Sequence, residues 1–267
     1  MSIPIETVKT AAFEMQYFRF GTGARPFVIL PGLSVQSVMG AADAVAAAYA
    51  GFAGDYTVYV FDRRADLPET YSVYEMGLDT AEAMRALGLH DADVFGASQG
   101  GMMAQVIAIE APELVRRLVL GSTTSRIKPE DEAVFDEWLR LARLRDGKAL
   151  YDAFGRAIYP EAVYQQYREA LLAAGETVTE EEFRRFITLT EGIRGFNVTD
   201  RLDRIRCPVL VIGVFEDAVL ESDATMEIAV KLDEKPGFAL YLYTGYGHAA
   251  FDTAPDYRDR MLRFLRA

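Results

Sequence analysis

The chain has 267 residues, of which 51% are hydrophobic and 25% charged, a composition typical of a globular protein with room for one large α/β domain or two small ones. Its 40 acidic and 28 basic residues give a net charge of −12, which argues against nucleic acid or an anionic membrane as a main partner. The single cysteine, Cys207, excludes an intrachain disulfide and fits a reducing compartment.

The N-terminal residues contain no basic region followed by an apolar stretch, so no signal peptide is expected. The chain also contains no run of about 18 uncharged apolar residues that could cross a membrane. We therefore expect a soluble cytoplasmic protein that acts on a small-molecule substrate. The oligomeric state stays open, with a homodimer among the alternatives.

Short β-branched runs alternate with helical patterns along most of the chain. In chain order the predicted elements are strands over 12–20 and 26–30, a helix over 36–50, a strand over 57–61, a helix over 73–88, a strand over 93–97, a helix over 100–110 and a strand over 117–121, followed later by a strand over 208–215, a helix over 221–233, a strand over 238–243 and a helix over 254–266. We expect the first two strands to form a hairpin-like start. The alternation predicts a mostly parallel sheet with helices on both faces.

The alternation is interrupted between residues 124 and 200, where no convincing strand pattern occurs. Apolar residues recur there at helical spacing, with breaks near 146–147, 159–160 and 174–176. A single crossover helix would need far fewer residues than this segment contains. We therefore predict an inserted cap of three or four helices over 124–200, with residues 1–123 and 201–267 forming the core.

A serine lies on the turn between a predicted strand and a predicted helix, in the sequence Gly96-Ala97-Ser98-Gln99-Gly100. A serine on such a tight turn has a strained backbone that lifts its hydroxyl clear of the sheet, and the small residues around it allow close packing. The helix that follows points its N–H groups at an anion forming nearby. The pattern therefore predicts that Ser98 is a nucleophile, with a purely structural βα turn as the alternative.

A serine hydroxyl needs a base within hydrogen-bond reach to act as a nucleophile, and the chain offers only two histidines. His90 precedes the strand that leads to Ser98, so it lies at the opposite end of that strand and is expected to be a solvated loop residue. His248 lies beyond the end of the strand over 238–243, on a flexible loop directly after Gly245 and Gly247. Ligands bind at the carboxyl ends of parallel strands. His248 is therefore the predicted base.

The histidine in turn needs a carboxylate that holds its tautomer and stabilises its positive charge. Glu216 and Asp217 both follow the strand over 208–215, and either could fill this role. The oxyanion that forms during attack on a carbonyl needs at least two hydrogen-bond donors. We expect these to be the backbone N–H of Gln99 and, after the turn Pro31-Gly32, the backbone N–H of Leu33.

These pieces stand in an order that resembles the α/β-hydrolase superfamily over nearly the whole chain. The resemblance rests on the segments VILPGL (28–33), VYVFDRR (58–64), GLHDADVFGASQGG (88–101), IRCPVLVIGVFEDAV (205–219) and GYGHAAF (245–251). It implies the α/β-hydrolase fold, with a mostly parallel eight-stranded sheet, helices on both faces and an inserted helical cap. In similar proteins the triad acid precedes a small residue and an aliphatic one, and Asp217-Ala218-Val219 fits this pattern better than Glu216.

Two segments depart from the family pattern. Many relatives have His-Gly where this chain has Pro31-Gly32, which keeps a backbone donor but removes any contribution from a histidine. The segment that begins at Asp62 lacks the glycines that many relatives have there. Its loop is therefore expected to shape the pocket differently. Asp62 itself is interpreted as a structural residue.

The residues together predict a serine hydrolase that cleaves a small ester or related acyl compound through an acyl-enzyme, with Ser98, His248 and Asp217 as its triad. An acyltransferase, a thioesterase or a C–C bond hydrolase would use the same triad, and a non-catalytic binding protein on the same scaffold is a further alternative. Trp138, Phe154 and other aromatics of the cap, such as Tyr159, are candidates for lining the pocket. No metal- or nucleotide-binding motif occurs, so neither a metal nor a cofactor is expected.

Overall fold

The computed structural model of the protein describes residues 2–220 and 223–267. Its centre is one sheet of eight strands in the order β1-β2-β4-β3-β5-β6-β7-β8. The strands are β1 (Ile5–Lys9), β2 (Glu14–Phe20), β3 (Arg25–Leu30), β4 (Tyr56–Arg64), β5 (Ala92–Ala97), β6 (Val115–Gly121), β7 (Val209–Val214) and β8 (Ala239–Tyr243). The strands from β4 to β8 across the sheet are parallel, and β2 is antiparallel to both of its neighbours. The predicted eight-stranded, mostly parallel sheet is confirmed.

The start of the chain differs from the prediction. The strand over 12–20 pairs with β1 and β4, whereas β3 pairs in parallel with β4 and β5. The hairpin is therefore β1–β2, and the expected pairing of 12–20 with 26–30 is wrong. Strand β1 has only one buried side chain, Val8, because it lies at the edge of the sheet, and so its sequence carries no clear strand pattern.

The direction of the chain crossovers reverses between β3 and β5. Strand β4, which follows β3 in the chain, lies on one side of β3 in the sheet. Strand β5, which follows β4, lies on the other side of β3, and β6 to β8 are added next to it in order. Leu30 at the end of β3 pairs with Gly96 near the end of β5, so the loops that follow both strands leave the sheet at the same level. Such a reversal creates a crevice at the carboxyl ends of the strands, which is where open α/β sheets bind ligands.

Ten α-helices accompany the sheet in the part of the chain that the structure describes. They are α1 (Ala42–Ala48), α2 (Val73–Ala86), α3 (Gln99–Glu110), α4 (Glu132–Arg143), α5 (Gly147–Ile158), α6 (Glu161–Glu176), α7 (Glu180–Glu191), α8 (Ala224–Leu232), α9 (Ala250–Thr253) and α10 (Tyr257–Arg266). None of these helices is long and apolar enough to cross a membrane.

Both faces of the sheet are covered by apolar side chains. Alternate residues of β3 belong to two different hydrophobic clusters, Val28 and Leu30 to one and Phe27 and Ile29 to the other. Since successive side chains of a strand point to opposite faces, the two clusters lie on opposite faces of the sheet. The first cluster includes the buried faces of α2, α3 and α8, and the second includes those of α1 and α10.

Helix boundaries follow local capping. Helix α2 begins after Ser72, whose side chain forms a capping box with Glu75, which satisfies two otherwise unpaired N–H groups. The helix predicted over 36–50 is shorter than expected, because a 3₁₀ turn precedes α1. Helix α8 begins at Ala224; residues 221 and 222 of the helix predicted over 221–233 lie outside the described residues.

The segment between β6 and β7 contains helices α4–α7 and no strand among the named elements. The predicted breaks near 146–147 and 159–160 coincide with the boundaries of α5. The third break, predicted near 174–176, lies slightly later in the structure: α6 ends at Glu176, and α7 begins after the capping box of Thr179 and Glu182. The division into a core (1–123 and 201–267) and a cap (124–200) stays a prediction.

Candidate active site

Ser98 lies between the end of β5 and the start of α3, at the crevice of the sheet. Its backbone has φ +53° and ψ −122°, a conformation that L-residues rarely adopt. Two sets of contacts hold it there: its N–H donates to Gly121 O at 2.9 Å, and its carbonyl accepts from Gly101 N at 2.9 Å and from Thr123 Oγ1 at 2.7 Å. This strained turn directs the hydroxyl away from the sheet.

Two glycines beside Ser98 make the turn geometrically feasible. A Cβ atom on Gly100 would lie 2.0 Å from Leu30 O, and one on Gly96 would lie 2.3 Å from Gly100 O. Any larger residue at either position would therefore collide with backbone atoms, which cannot move away as a side chain can. The small residues that the sequence analysis noted on either side of Ser98 are required by this close packing.

His248 is brought to Ser98 by the loop that follows β8. Its Nε2 lies 2.9 Å from Ser98 Oγ, and the ring is only 3% exposed. Gly247, at φ +63°, provides a backbone conformation that most residues avoid. The loop is also fixed from the other side, because Ala249 N donates to Ile158 O at 2.9 Å.

Asp217 lies on the far side of the imidazole. Its Oδ2 is 2.8 Å from His248 Nδ1, and its Oδ1 accepts hydrogen bonds from Val219 N at 2.9 Å and Leu220 N at 3.0 Å. Burial raises the pKa of the Asp217 carboxyl, but the neighbouring His248 and the two backbone N–H groups outweigh it, so the net pKa lies below the usual value. The carboxylate is thus ionised and fixed in position, as an orienting acceptor requires.

Glu216, the alternative acid, occupies a different position. Its side chain accepts a hydrogen bond from Gly245 N at 2.8 Å, and the residue is exposed. It therefore helps to hold the loop that carries His248 without contacting the imidazole itself. The structure brings together Ser98, His248 and Asp217, the three residues predicted from the sequence.

The two predicted oxyanion donors belong to residues next in sequence to Ser98 or to a glycine packed against it. Gln99 is the first residue of α3, and Gly32, which precedes Leu33, is so close to Ser98 that a Cβ on it would lie 3.2 Å from Ser98 Cβ. Across residues 2–220 and 223–267, neither the Leu33 nor the Gln99 backbone N–H donates a hydrogen bond. Both donors are therefore free to bind an anion next to Ser98.

The side chain of Arg63 connects the two segments that carry these N–H groups. This buried guanidinium donates to Pro31 O at 2.9 Å and to Gln99 Oε1 at 2.6 Å. The other end of the Gln99 side chain donates to Leu189 O at 2.8 Å, which ties the same cluster to α7. Burial lowers the pKa of Arg63 to about 10 although Asp62 opposes the shift, so the group keeps its charge at neutral pH.

Asp62 contacts the surroundings of the site rather than the reacting groups. Its carboxylate accepts hydrogen bonds from Ser37 Oγ, from Arg185 of α7 and from Arg63 N. These bonds fasten the end of β4 to the loop after β3 and to α7. A structural role for Asp62, as interpreted from the sequence, agrees with these contacts.

A cavity of about 370 Å³ opens at Ser98 and His248. Its wall is mainly apolar and includes Phe135 and Trp138 of α4, Phe154 of α5 and Val219. Tyr159, the third aromatic candidate, is not among the residues that line it. It follows the last residue of α5 and packs instead against Tyr167, with ring centroids 5.3 Å apart.

Two residues near the site were missed by the sequence analysis. The role of Arg63 could not be assigned because its partners are carbonyl groups distant in sequence; the only signal was a charged residue two positions after the strand predicted over 57–61. Asp252 lines the cavity and was not considered, although it stands out as an acid directly after the apolar residues Ala249–Phe251.

Comparison with known proteins extends these observations. Residues 27–259 match the model of the alpha/beta hydrolase family. A protein of Rhizobium rhizogenes named "Putative carbamate hydrolase RutD" is 28% identical over 225 residues, covering 80% of this chain and 84% of the relative. A Caulobacter protein of the same name is 30% identical over 222 residues, covering 79% and 81% respectively.

Solved structures give the same result for the fold. An alpha/beta hydrolase enzyme from a Medee basin deep-sea metagenome library superposes with a TM-score of 0.86 at 20% identity, covering 98% of both chains. The enol-lactonase of Burkholderia xenovorans superposes with a TM-score of 0.82 at 19% identity, covering 99% of this chain and 100% of the other. The prediction of a hydrolase is supported at this general level, and the chain belongs to the alpha/beta hydrolase family.

Proposed function

We propose that this hydrolase cleaves small carboxylic esters or related acyl compounds through an acyl-enzyme formed on Ser98. The observation that carries the proposal is the continuous chain of hydrogen bonds from Ser98 Oγ to His248 Nε2 (2.9 Å) and from His248 Nδ1 to Asp217 Oδ2 (2.8 Å). A binding protein would have no need of a base held against a strained serine.

The geometry supports a two-step reaction. In the first step Ser98 Oγ bonds to the carbonyl carbon while its proton passes to His248 Nε2, and the carbonyl oxygen becomes an oxyanion between the Leu33 and Gln99 N–H groups. When the tetrahedral intermediate collapses, the bond to the leaving group breaks and that group takes the proton from His248. Water then attacks the acyl-enzyme with His248 again as the base, which releases the acid and restores Ser98.

The cavity favours an apolar acyl or alcohol group. Its volume and its aromatic wall, with Phe135, Trp138 and Phe154, suit a substrate much larger than a simple carbamate. The relatives named as carbamate hydrolases nevertheless make carbamates a second candidate, because a carbamate is also an acyl compound that a serine can attack. We propose that helices α4–α7 form a cap over this cavity, since the first two of them, α4 and α5, contribute these three aromatic side chains.

Covalent labelling tests the proposal directly. A fluorophosphonate forms a stable bond with an activated serine, so we expect the wild-type protein to take up one label and Ser98→Ala to take up none. Mass spectrometry of the labelled protein would locate the bond at Ser98. A folded wild-type protein that takes no label would contradict the proposal and favour a binding role.

The same preparation can establish the substrate class. A chain-length series of chromogenic esters, compared with the corresponding carbamates, would show which acyl compound turns over fastest. We expect esters to be preferred, because their acyl chains can fill the apolar cavity. Faster turnover with an added alcohol or thiol acceptor than with water would identify an acyltransferase instead.

Replacing Arg63 by methionine is expected to lower kcat by about ten- to a hundredfold and to change KM little. Methionine removes the donor that holds both Pro31 O and Gln99 Oε1, so the Leu33 and Gln99 N–H groups lose their alignment. One well-placed oxyanion donor is worth roughly 3 kcal/mol of barrier, and a misaligned pair loses part of this. Steady-state kinetics with the best ester of the series would measure the effect.

The neighbouring Arg64 provides a matched control. It contacts Asp79, at 3.5 Å, and Asp66 O, at 2.8 Å, and neither of these residues belongs to the site. We expect Arg64→Met to leave kcat unchanged. If both variants lost the same factor in kcat, Arg63 would not be the residue that aligns the donors. The same conclusion would follow if Arg63→Met lowered the thermal stability but left kcat unchanged.

A further inference from the structure

One acidic side chain faces the cavity that holds Ser98. Of the described residues that line this cavity, only Asp252 carries a carboxylate. It belongs to α9, which begins two residues after His248, so it is fixed relative to the reacting groups. Its side chain is 52% exposed, so the carboxylate is accessible to a ligand that enters the cavity it lines.

The carboxylate of Asp252 lacks a hydrogen-bond partner in the described parts of the protein, residues 2–220 and 223–267. Its nearest cationic contact is Arg258 of α10, whose guanidinium lies 3.9 Å from Oδ1, too far for a hydrogen bond. That guanidinium also lies over the ring of Tyr49, 5.0 Å from its centroid. A carboxylate in an apolar site normally has hydrogen-bonded partners, so the acceptor capacity of Asp252 is left for a ligand.

The charged and titratable groups that face Asp252 come from several elements. They are Arg258 and Tyr257 of α10, Tyr49 after α1 and Tyr159 after α5. Burial raises the pKa of Asp252 to about 6, and Arg258 opposes this shift. At neutral pH the carboxylate is therefore mostly ionised, and the tyrosines facing it are neutral because burial raises their pKa values.

The raised pKa of Asp252 links its ionisation to folding. A carboxyl whose pKa is higher in the folded than in the unfolded state favours folding at low pH, and this contribution is lost as the pH rises through about 6. A carboxylate that lines a binding cavity and receives no hydrogen bond from the described residues is a candidate for substrate recognition.

We propose that Asp252 determines specificity by binding an ammonium group of the substrate at a distance from the carbonyl that Ser98 attacks. The proposal rests on the proposed function, since it concerns the substrate of that same site. An ammonium group donates the hydrogen bonds that this carboxylate does not receive from Arg258, and it adds a second positive charge beside it. The net charge of −12 also attracts cationic substrates toward the protein.

Two matched ester series test the proposal. One series comprises methyl esters of amino acids whose amine ends an alkyl chain, and the other comprises methyl esters of fatty acids with the same number of heavy atoms. At the best chain length and pH 7.5 we expect wild-type kcat/KM to favour the ammonium ester by about tenfold or more, the value of one charge-assisted hydrogen bond. Asp252→Leu should lose or reverse this preference.

Asp259→Leu is the control, because Asp259 is an exposed acid on α10 and does not line the cavity. It should keep the wild-type preference. The wild-type preference should also weaken as the pH falls through about 6, where Asp252 becomes neutral. Because this preference is a ratio of two esters on one enzyme, a pH effect on the catalytic step itself changes both rates alike and cancels in the ratio.

A binding measurement separates failure of this inference from failure of the proposed function. Calorimetry with Ser98→Ala, and with Ser98→Ala combined with Asp252→Leu, measures the affinity for both esters without turnover. Hydrolysis with equal kcat/KM for both series would overturn the role of Asp252 and leave the serine hydrolase intact. If neither ester were hydrolysed but the ammonium ester bound more tightly, and this difference depended on Asp252, the inference would be supported and the proposed function contradicted. If neither ester were hydrolysed and both bound equally, the inference would be overturned together with the proposed function.

Discussion

Replacing His248 by alanine is expected to lower kcat for ester hydrolysis by about 10⁶-fold, close to the loss seen when any essential member of a serine–histidine pair is removed. The imidazole Nε2, 2.9 Å from Ser98 Oγ, is the only ring nitrogen that contacts the hydroxyl in the described structure. Without it the hydroxyl keeps its proton and remains a weak nucleophile. The small remaining rate would come from substrate binding and from the oxyanion donors.

The second histidine of the chain, His90, is the natural control for this variant. It is exposed and lies between α2 and β5, at the end of the sheet opposite Ser98. We expect His90→Ala to keep the wild-type kcat and KM. Both proteins should be compared at equal concentration after thermal unfolding has verified that they are folded. If His248→Ala kept more than a small fraction of the rate, or if His90→Ala lost it, another base would have to be sought.

The positions around Ser98 could be predicted because local steric demands determine them. Gly96 and Gly100 contact backbone atoms so closely that no other residue fits, and this requirement leaves a recognisable mark in the sequence. The strands on both sides of the site are similarly distinctive: all residues of β5 and β7 are buried, and their sequences are apolar except for Asp93 of β5, which pairs with Arg116. The order of nucleophile, acid and histidine then follows from the order of the strands.

Features that depend on contacts between distant segments could not be predicted in this way. Arg63 is 31 or more residues from the groups it binds, and any arginine at the end of a strand would have the same local sequence. The pairing of β2 was predicted incorrectly for a related reason. The strand pattern of residues 12–20 indicates a strand, but the choice between β3 and β4 as its neighbour depends on the reversal of the sheet at β3.

Asp252 illustrates a third kind of feature, a charged residue whose neighbours in the sequence and in the cavity are mainly apolar. The residues around it, Ala249, Ala250 and Phe251, are apolar, and a pattern-based reading expects the next position to be a solvated acid on a short helix. Only the structure places that acid in the cavity with Ser98. Residues that break a local rule and lower stability are often found at functional sites, and such residues are difficult to recognise from pattern alone.

Replacing Asp217 by asparagine is expected to lower kcat by about 10⁴-fold while KM changes little. The Asn amide group can donate a hydrogen bond to His248 Nδ1, which places the imidazole proton on Nε2, the nitrogen that must accept the proton of Ser98. It also removes the negative charge that stabilises the imidazolium. Val219 N and Leu220 N can still donate to the side-chain oxygen, so the fold of the loop should be kept.

Glu216→Gln is the matched control for Asp217→Asn, because it makes the same chemical change at the adjacent residue. The glutamine oxygen can still accept the hydrogen bond from Gly245 N, so the loop that carries His248 should stay in place and kcat should remain at the wild-type value. Steady-state kinetics of both variants, with active sites counted by fluorophosphonate labelling of the wild type, would measure the difference. A larger loss in Glu216→Gln than in Asp217→Asn would transfer the orienting role to Glu216, which would then have to reach the imidazole through a movement of the loop after β7.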